Sequence, residues 1–188
     1  MLYARRSIHP QIGSLGHYFN PSDTLEHKLG LAGSNYELTQ SIPKVLDYFG
    51  PDPARIWAEI SAHEEKLQSI ILSYLNSNEK ITIYGETSAS SKLRVPVISF
   101  TVAGRGSKSI VDAVQGQSSF GFKYGHFYSK RLIDEVLGLE GDGVVRVSMV
   151  HYNTGKASPR GNTRLRTNYA LENEAKEFVK VLAEILSN

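Results

Sequence analysis

The stretch Gly143–Thr154, with the sequence GVVRVSMVHYNT, decides the fold of this chain, because it is typical of a buried β-strand that contains one charge. Alternate residues of a strand point to opposite faces of its sheet. Three apolar residues are therefore predicted to share one face: Val145, Val147 and Met149. Arg146 is predicted to lie on the other face, together with two polar residues, Ser148 and Tyr152.

Arg146 permits two interpretations. A charge inside so apolar a run is costly unless it meets an anion, and a guanidinium can grip a carboxylate with two parallel hydrogen bonds. The residue is thus a candidate for binding a carboxylate or a phosphate in a cleft. The alternative is an edge strand whose arginine points to water or pairs with a glutamate. The strand by itself favours this alternative.

The composition is typical of a soluble globular protein, with 188 residues, 40% hydrophobic and 21% charged. A net charge of +2 argues against a dedicated nucleic-acid-binding protein. The chain contains no cysteine, which excludes disulfides, thiolate metal sites and a cysteine nucleophile. No apolar run has the length of a membrane span, and the first residues lack the apolar core of a signal peptide. A cytoplasmic location is therefore predicted.

Residues 7–33 are predicted to form a long loop, because they are rich in Gly, Pro, Ser and His and show no periodicity. So long a loop in a compact domain is usually functional. Its histidines have no second ligand at a metal-binding spacing, so no metal site is predicted there. These histidines are His9, His17 and His27.

Two helices are predicted to follow this loop. Residues 34–37 form a capping box, in which a serine accepts from the backbone three residues on and a glutamate reaches back. The first helix then runs to Phe49, with a bend at Pro43. The second begins at Pro53, since proline is favoured at the first helical position, and its apolar stripe runs to about Asn76.

From residue 80 onward, strands and helices are predicted to alternate in the order strand, strand, helix, strand, helix, strand, helix. The predicted strands are 81–84, 93–102, 120–124 and the strand of Arg146, and the predicted helices are 107–114, 129–137 and 171–186. Ser129 is predicted to cap the second of these helices. This order predicts an α+β lobe with a mainly antiparallel sheet and helices on one face.

Residues 146–154, Arg-Val-Ser-Met-Val-His-Tyr-Asn-Thr, resemble a signature near the end of class V aminotransferases of the cysteine desulfurase-like branch. That family has fold type I and depends on pyridoxal phosphate. The resemblance implies that Arg146 binds the carboxylate of an amino-acid substrate. It also implies an α/β fold. Its predicted parts are a remnant of the large cofactor-binding domain (1–50), a linker helix (51–79) and a small α+β domain (80–188).

The resemblance also concerns the cofactor. Residues 2–5, Leu-Tyr-Ala-Arg, resemble the end of a segment that follows the Schiff-base lysine, which implies a lysine upstream of Met1 and no catalytic residue in this chain. Gly33 and Ser34 match a segment that reaches the cofactor phosphate of a neighbouring subunit, which implies a homodimer. A helix start offers free N–H groups to such an anion. The alternative is that Ser34 only caps the helix, and the two roles can coexist.

Residues 123–128, Lys-Tyr-Gly-His-Phe-Tyr, match the family segment that carries the desulfurase cysteine, and Tyr128 occupies the cysteine position. Persulfide chemistry needs a thiolate, so it is not expected here. For His126 and Tyr128, partly buried packing is at least as well supported as catalysis. Residues 155–173 depart from the family pattern and are predicted to be a basic, solvated insertion loop.

The sequence thus predicts part of a pyridoxal phosphate-dependent enzyme that acts on an amino acid and is inactive on its own. Its predicted partners are a small amino-acid substrate and a second copy of the chain, with no nucleic acid and no membrane. Two alternatives stay open. The first alternative is that the chain is a non-enzymatic dimerisation or regulatory module. The second is that it is an α+β domain that binds a small ligand through Arg146.

Overall fold

The structure is a computed structural model that describes residues 3–13, 24–30, 35–151 and 169–187, with side chains described from residue 173 in the last range. The chain divides into two compact units, Met1–Asp52 and Pro53–Asn188. Among the described residues, the first unit contains only helices, whereas the second unit also contains a β-sheet.

Two short helices of the first unit lie in the stretch predicted as one long loop. A 3-10 helix spans His9–Gln11, and helix α1 spans Leu25–Leu29. The hydroxyl of Thr24 caps α1 by accepting the backbone N–H of its third residue at 3.1 Å. The ammonium of Lys28 then donates to the carbonyl of His9 at 2.8 Å. The prediction of a structureless loop is therefore wrong for these residues.

Helix α2, Tyr36–Phe49, has the predicted extent and includes Pro43. None of its residues is buried, nor is any other described residue of the first unit. Large apolar side chains of α2 are therefore left in contact with water, among them Leu38, Val45 and Leu46.

Helix α3, Pro53–Ser77, confirms the predicted long helix, with its proline at the first helical position. Its buried residues recur every three or four positions, as expected for one covered face. The apolar ones are Ile60, Leu67, Ile71, Leu72 and Leu75. Contacts place α3 in the second unit, and its role as a linker between lobes stays a prediction. Neither α3 nor any other helix in the described ranges is long and apolar enough to cross a bilayer.

Within the described residues, four strands form one antiparallel sheet. They are β1 (Ile81–Tyr84), β2 (Val97–Val102), β3 (Lys123–Gly125) and β4 (Val144–Ser148), and their order in the sheet is β1-β2-β4-β3. The strand of Arg146 is therefore an inner strand, hydrogen-bonded on both sides. The interpretation of this stretch as an edge strand is wrong.

One face of the sheet, which we call the helix face, packs against α3, helix α4 (Ser107–Gln117) and helix α5 (Tyr169–Ser187). Phe100 and Val145 are partners in the register of β2 and β4, and both are fully buried. Helix α5 contributes an apolar face, with Ala175, Phe178, Leu182 and Ile185 buried. The predicted antiparallel sheet with helices on one face is confirmed.

Strand β2 begins four residues later than predicted, because a loop precedes it. The guanidinium of Arg94 donates to the carbonyl of Val97 at 2.5 Å and also to that of Glu86. Pro96 has no N–H to give to a strand ladder. The carbonyl of Pro96 accepts the backbone N–H of Met149 at 2.9 Å, and the strand pairing itself begins at Val97, opposite Ser148.

The segment between α4 and β4 also differs from the prediction. The strand predicted at 120–124 is Lys123–Gly125, because Phe120 and Phe122 pack edge-on against Phe178 of α5 at 5.5 and 5.3 Å between ring centroids. The helix predicted at 129–137 is a π-helix over Leu132–Val136. Residues 130 and 131 before it are also helical, and the carbonyl of Ser129 accepts the backbone N–H of Ile133 at 3.2 Å, so Ser129 stands directly before this helical stretch.

The start of β4 is held by contacts over a long sequence distance. The carboxylate of Asp142 accepts the backbone N–H groups of Ser107 at 2.9 Å and Lys108 at 2.5 Å, which caps α4. Gly143 has φ +80°, and a Cβ there would collide with the backbone of Gly125. The end of β3 and the start of β4 are therefore in close backbone contact beside the site described next.

Candidate functional site

The candidate site is built on the face of the sheet opposite to the helices, which we call the Arg146 face. Because strand residues alternate, the residues between those that point toward the helices share this second face. In the register, Arg146 of β4 stands opposite Ser99 of β2 and Lys123 of β3. The Arg146 face is formed by Thr82, Tyr84, Val97, Ser99, Thr101, Lys123, Gly125, Val144, Arg146 and Ser148.

The charge on the Arg146 face is of one sign. Its strand residues include two cations, Arg146 and Lys123, and no carboxylate. Side chains directly opposite in an antiparallel pair lie about 5 Å apart at Cβ, and like charges there are destabilising. The two cations therefore favour an anion close to both of them. Lys123 is exposed, whereas Arg146 is half-buried.

The guanidinium of Arg146 is placed by an aromatic ring and not by an acid. Its Cζ lies 4.0 Å from the ring centroid of Phe127, which is a cation–π contact. Its Nε is buried with no hydrogen-bond partner in the described parts of the chain. No ion pair joins Arg146 to any described carboxylate, so pairing with a glutamate is not observed. A half-buried arginine without an anion is a candidate anion-binding group.

The loop that carries Phe127 is a strained turn after β3. Phe127 and Tyr128 both have positive φ, 48° and 63°, which side chains with a Cβ rarely adopt. The backbone N–H of Ser129 donates to the carbonyl of His126 at 2.8 Å and closes the turn. His126 Nε2 also lies 3.6 Å from Asp134 Oδ1 of the π-helix. Backbone strain of this kind is concentrated at functional sites.

A second pair of titratable groups follows β4. His151 Nδ1 lies 3.9 Å from Glu64 Oε1 of α3, and both side chains are largely buried. Burial raises the pKa of Glu64, while the charge of His151 and its backbone hydrogen bond act in the opposite direction. This pair cannot be predicted from local sequence patterns, because nothing local relates the middle of a helix to the end of a strand 87 positions later.

A cavity of about 260 Å³ opens on the helix face, beside the end of β4. Its lining is mostly apolar and includes Phe120, Met149 and Phe178. Glu174 of α5 is the charged residue in this lining, and burial raises the pKa of its carboxyl group. In the described parts of the chain, no cluster of three or more His, Asp or Glu side chains could hold a metal ion.

The sequence comparisons identify the family. A family model described as aminotransferase class-V matches residues 44–157, which include β4 and most of the second unit. The chain belongs to the class V aminotransferase family. This confirms the resemblance drawn from residues 146–154, and members of this family depend on pyridoxal phosphate.

Individual class V relatives extend the comparison. The chain is 51% identical over 154 residues to an aminotransferase-like protein, FGM3, of Gibberella zeae, covering 82% of this chain and 38% of the relative. It is 32% identical over 156 residues to a cysteine desulfurase-like protein, ustD, of Aspergillus flavus, covering 81% and 35%. The chain thus spans little more than a third of these relatives.

A solved structure of the Escherichia coli cysteine desulfurase CsdA was also found. The matched region covers 68% of this chain and 25% of the CsdA chain, with 15% sequence identity and a TM-score of 0.47.

Tyr128, at the position matched to the desulfurase cysteine, is fully exposed. The packing role considered for it is therefore wrong, whereas His126 and Phe127 are half-buried. A phenol cannot act as the thiolate that persulfide chemistry requires, and the 188 residues contain no cysteine. In this class V chain the turn instead supplies an aromatic ring to Arg146.

The cofactor residues inferred from the class V resemblance, Gly33 and Ser34, lie outside the described residues. The neighbouring helix end is described, and there the cap differs from the prediction. Asn35 is the N-cap of α2, and its Oδ1 accepts the backbone N–H of Leu38 at 2.8 Å. Asparagine caps helices as well as serine does, so the capping role predicted for Ser34 belongs to Asn35.

Most of the predicted insertion, 155–173, also lies outside the described residues. Its last five positions are helical, since α5 begins at Tyr169.

Two residues of the candidate site, Lys123 and Phe127, were not predicted from the sequence to be site residues. Both stand in the quoted segment 123–128, but only the pairing of β3 with β4 brings them to Arg146.

Proposed function

We propose that Arg146 binds the carboxylate of an amino-acid substrate, and that this chain supplies the substrate side of a pyridoxal phosphate-dependent class V enzyme. The observation that carries the proposal is the state of Arg146. Its guanidinium is half-buried, lies opposite the ammonium-bearing Lys123, and has no carboxylate partner among the described residues. A bound carboxylate would remove both the repulsion and the missing hydrogen bonds.

The geometry favours a carboxylate over a neutral ligand. A guanidinium presents its donors in a planar fork, which matches the two oxygens of a carboxylate. Lys123 adds a second positive charge on the same face without offering a fork. We propose that Arg146 donates the two parallel hydrogen bonds to the carboxylate. Lys123 attracts the same carboxylate electrostatically over a longer distance. Ser99, on the other side of Arg146 in the register, offers a hydroxyl that can donate to the same anion.

The cofactor enters the proposal through the family. Pyridoxal phosphate, when bound, withdraws electrons from the α-carbon of the amino acid. Gly33 and Ser34 are proposed for its phosphate on the family resemblance. On the same resemblance no residue matches the Schiff-base lysine, and we propose that these 188 residues are inactive on their own. The part assigned to the described residues is to bind and orient the substrate carboxylate.

The test is ligand binding to the chain itself. The probes are L-alanine and alaninamide, which differ in the carboxylate, and the Nε–H signal of Arg146 is followed by NMR. We expect L-alanine to shift this signal saturably and alaninamide to leave it unchanged. Because Arg146→Lys removes this signal, the affinities of the variants for L-alanine are compared by isothermal titration calorimetry. Arg146→Lys should weaken binding of L-alanine by about tenfold or more, because hydrogen bonds to charged groups contribute about 1.5–3 kcal/mol each.

Arg131→Lys is the matched control. Arg131 lies on the same unit, is highly exposed and pairs with Glu135 at 3.3 Å, so its replacement should leave the affinity unchanged. If alaninamide binds as well as L-alanine, no carboxylate is recognised. If Arg146→Lys unfolds the second unit without a selective loss of affinity, Arg146 is a structural residue and the proposal is wrong.

A further inference from the structure

We propose that Phe127 is a positioning residue, which holds the guanidinium of Arg146 in the orientation that receives the carboxylate. This inference rests on the proposed function of Arg146 and adds the residue that prepares it. Phe127 need not touch the ligand. It acts through the cation–π contact, in which the Cζ of Arg146 lies 4.0 Å from the ring centroid.

The arginine side chain has much conformational freedom to lose on binding. Four rotatable bonds separate the guanidinium from the backbone of β4, and a free side chain of this length loses much rotamer entropy when it binds. A ring stacked on the guanidinium removes part of that freedom before the ligand arrives. Binding is then tighter, because less ordering remains to be done. In the described residues no carboxylate performs this role for Arg146.

The hydrogen-bond donors of Arg146 differ in how accessible they are to a ligand. The Nε of Arg146 is buried and has no acceptor in the described parts of the chain. The two terminal nitrogens are not buried in this way, and they make no hydrogen bond to a described residue. The Cζ of Arg146 lies over the ring face of Phe127. The edge formed by the two terminal nitrogens is the part left for a carboxylate, and this edge fits two parallel hydrogen bonds.

The backbone of the turn that carries Phe127 is strained. Phe127 and Tyr128 are consecutive residues with positive φ. This backbone conformation is unfavourable for residues that have a Cβ, because the Cβ comes too close to the following carbonyl oxygen. Strain of this kind persists only where the surrounding structure imposes it. Here the turn follows directly after Gly125, the last residue of β3, whose pairing with β4 also places Arg146. The same strand pair therefore fixes both the arginine and the ring.

A purely structural role for Phe127 is the competing account, and the two make different predictions. Phe127→Leu keeps an apolar side chain but removes the aromatic face. Phe127→Trp keeps an aromatic face, and the face of Trp attracts cations more strongly than that of Phe. Phe120→Leu is the matched control, since it makes the same chemical change on the helix face, where Phe120 packs edge-on against Phe178.

The first measurement needs no ligand. In the unmodified chain, the ring current of Phe127 should move the Nε–H proton of Arg146 upfield of its usual position. Phe127→Leu should return the signal to that position, whereas Phe127→Trp and Phe120→Leu should keep it upfield. An ordinary Nε–H position in the unmodified chain would show that the ring does not stack on the guanidinium, and the inference would be wrong even if the Leu variant failed to fold.

The second measurement is the affinity for L-alanine. We expect Phe127→Leu to bind about fivefold more weakly, Phe127→Trp to restore binding, and Phe120→Leu to bind as the unmodified chain does while unfolding at lower denaturant. Equal affinity of Phe127→Leu and the unmodified chain would overturn the positioning role alone. Absence of binding by the unmodified chain would overturn the proposed function, and this inference with it.

Discussion

The two faces of the sheet are made by the same strands but differ in what they contact. On the helix face, Ile98, Phe100 and Val145 are fully buried among three helices. On the Arg146 face, one position away along the same strands, Ser99 is half-buried and Arg146 has no anionic partner among the described residues. One face therefore provides stability, and the other is free to provide recognition. Substitutions at neighbouring positions should separate the two.

The largest effect is expected on the helix face. Phe100→Ala should lower the free energy of unfolding by about 3–5 kcal/mol, because it removes a fully buried ring and leaves a cavity. Urea unfolding followed by circular dichroism measures the change. Ser99→Ala, at the preceding position, is the control and should change stability by about 0.5 kcal/mol or less. Similar losses for both variants would show that the two faces do not differ in this way.

A smaller effect is expected from a hydrogen bond on the Arg146 face. The hydroxyl oxygens of Tyr84 on β1 and Thr101 on β2 lie 3.0 Å apart. Tyr84→Phe should lower the free energy of unfolding by about 0.5–1.5 kcal/mol, the usual net contribution of such a bond. Combining it with Thr101→Val in a double-mutant cycle isolates the pair. Strictly additive losses would mean that the two hydroxyls contribute nothing to each other.

The smallest effect concerns the carboxyl group of Glu174, in the cavity on the helix face. Burial raises the pKa of Glu174 in the folded chain. Between the unfolded and the folded pKa, the folded state binds more protons. Stability from this group is therefore present below the unfolded pKa and is lost as the pH rises through the folded pKa.

Glu174→Gln should accordingly stabilise the chain near pH 7, by about 0.5 kcal/mol or less because the group is still partly in water. The gain should vanish below the pKa of the unfolded glutamate. Thermal unfolding at several pH values measures it. Glu177→Gln, on the same helix and exposed, is the control and should leave the pH dependence unchanged. If Glu174→Gln is less stable than the unmodified chain at neutral pH, the carboxylate is stabilised by a cation and the prediction is wrong.

Several elements could be predicted from the sequence because their signals are local. The apolar stripe of α3 and the buried face of α5 follow a helical period inside one continuous segment. Predictions failed where a contact from outside the segment competes with the local pattern. Arg94 binds the carbonyls of Glu86 and Val97 and so holds the loop before β2, and Phe178 of α5 packs against the aromatic residues predicted to begin β3. Neither contact can be predicted from the spacing of residues within the segment.

The sequence by itself determined on which face of its strand Arg146 lies, because the period of two is a property of any extended backbone. It also carried enough of a signature to indicate the class V family. Only the tertiary structure decided that β4 is an inner strand, and that Lys123 and Phe127 stand beside Arg146. Some twenty residues separate these positions along the chain. Their register depends on how β3 and β4 pack against α4 and α5, and no local spacing encodes that packing.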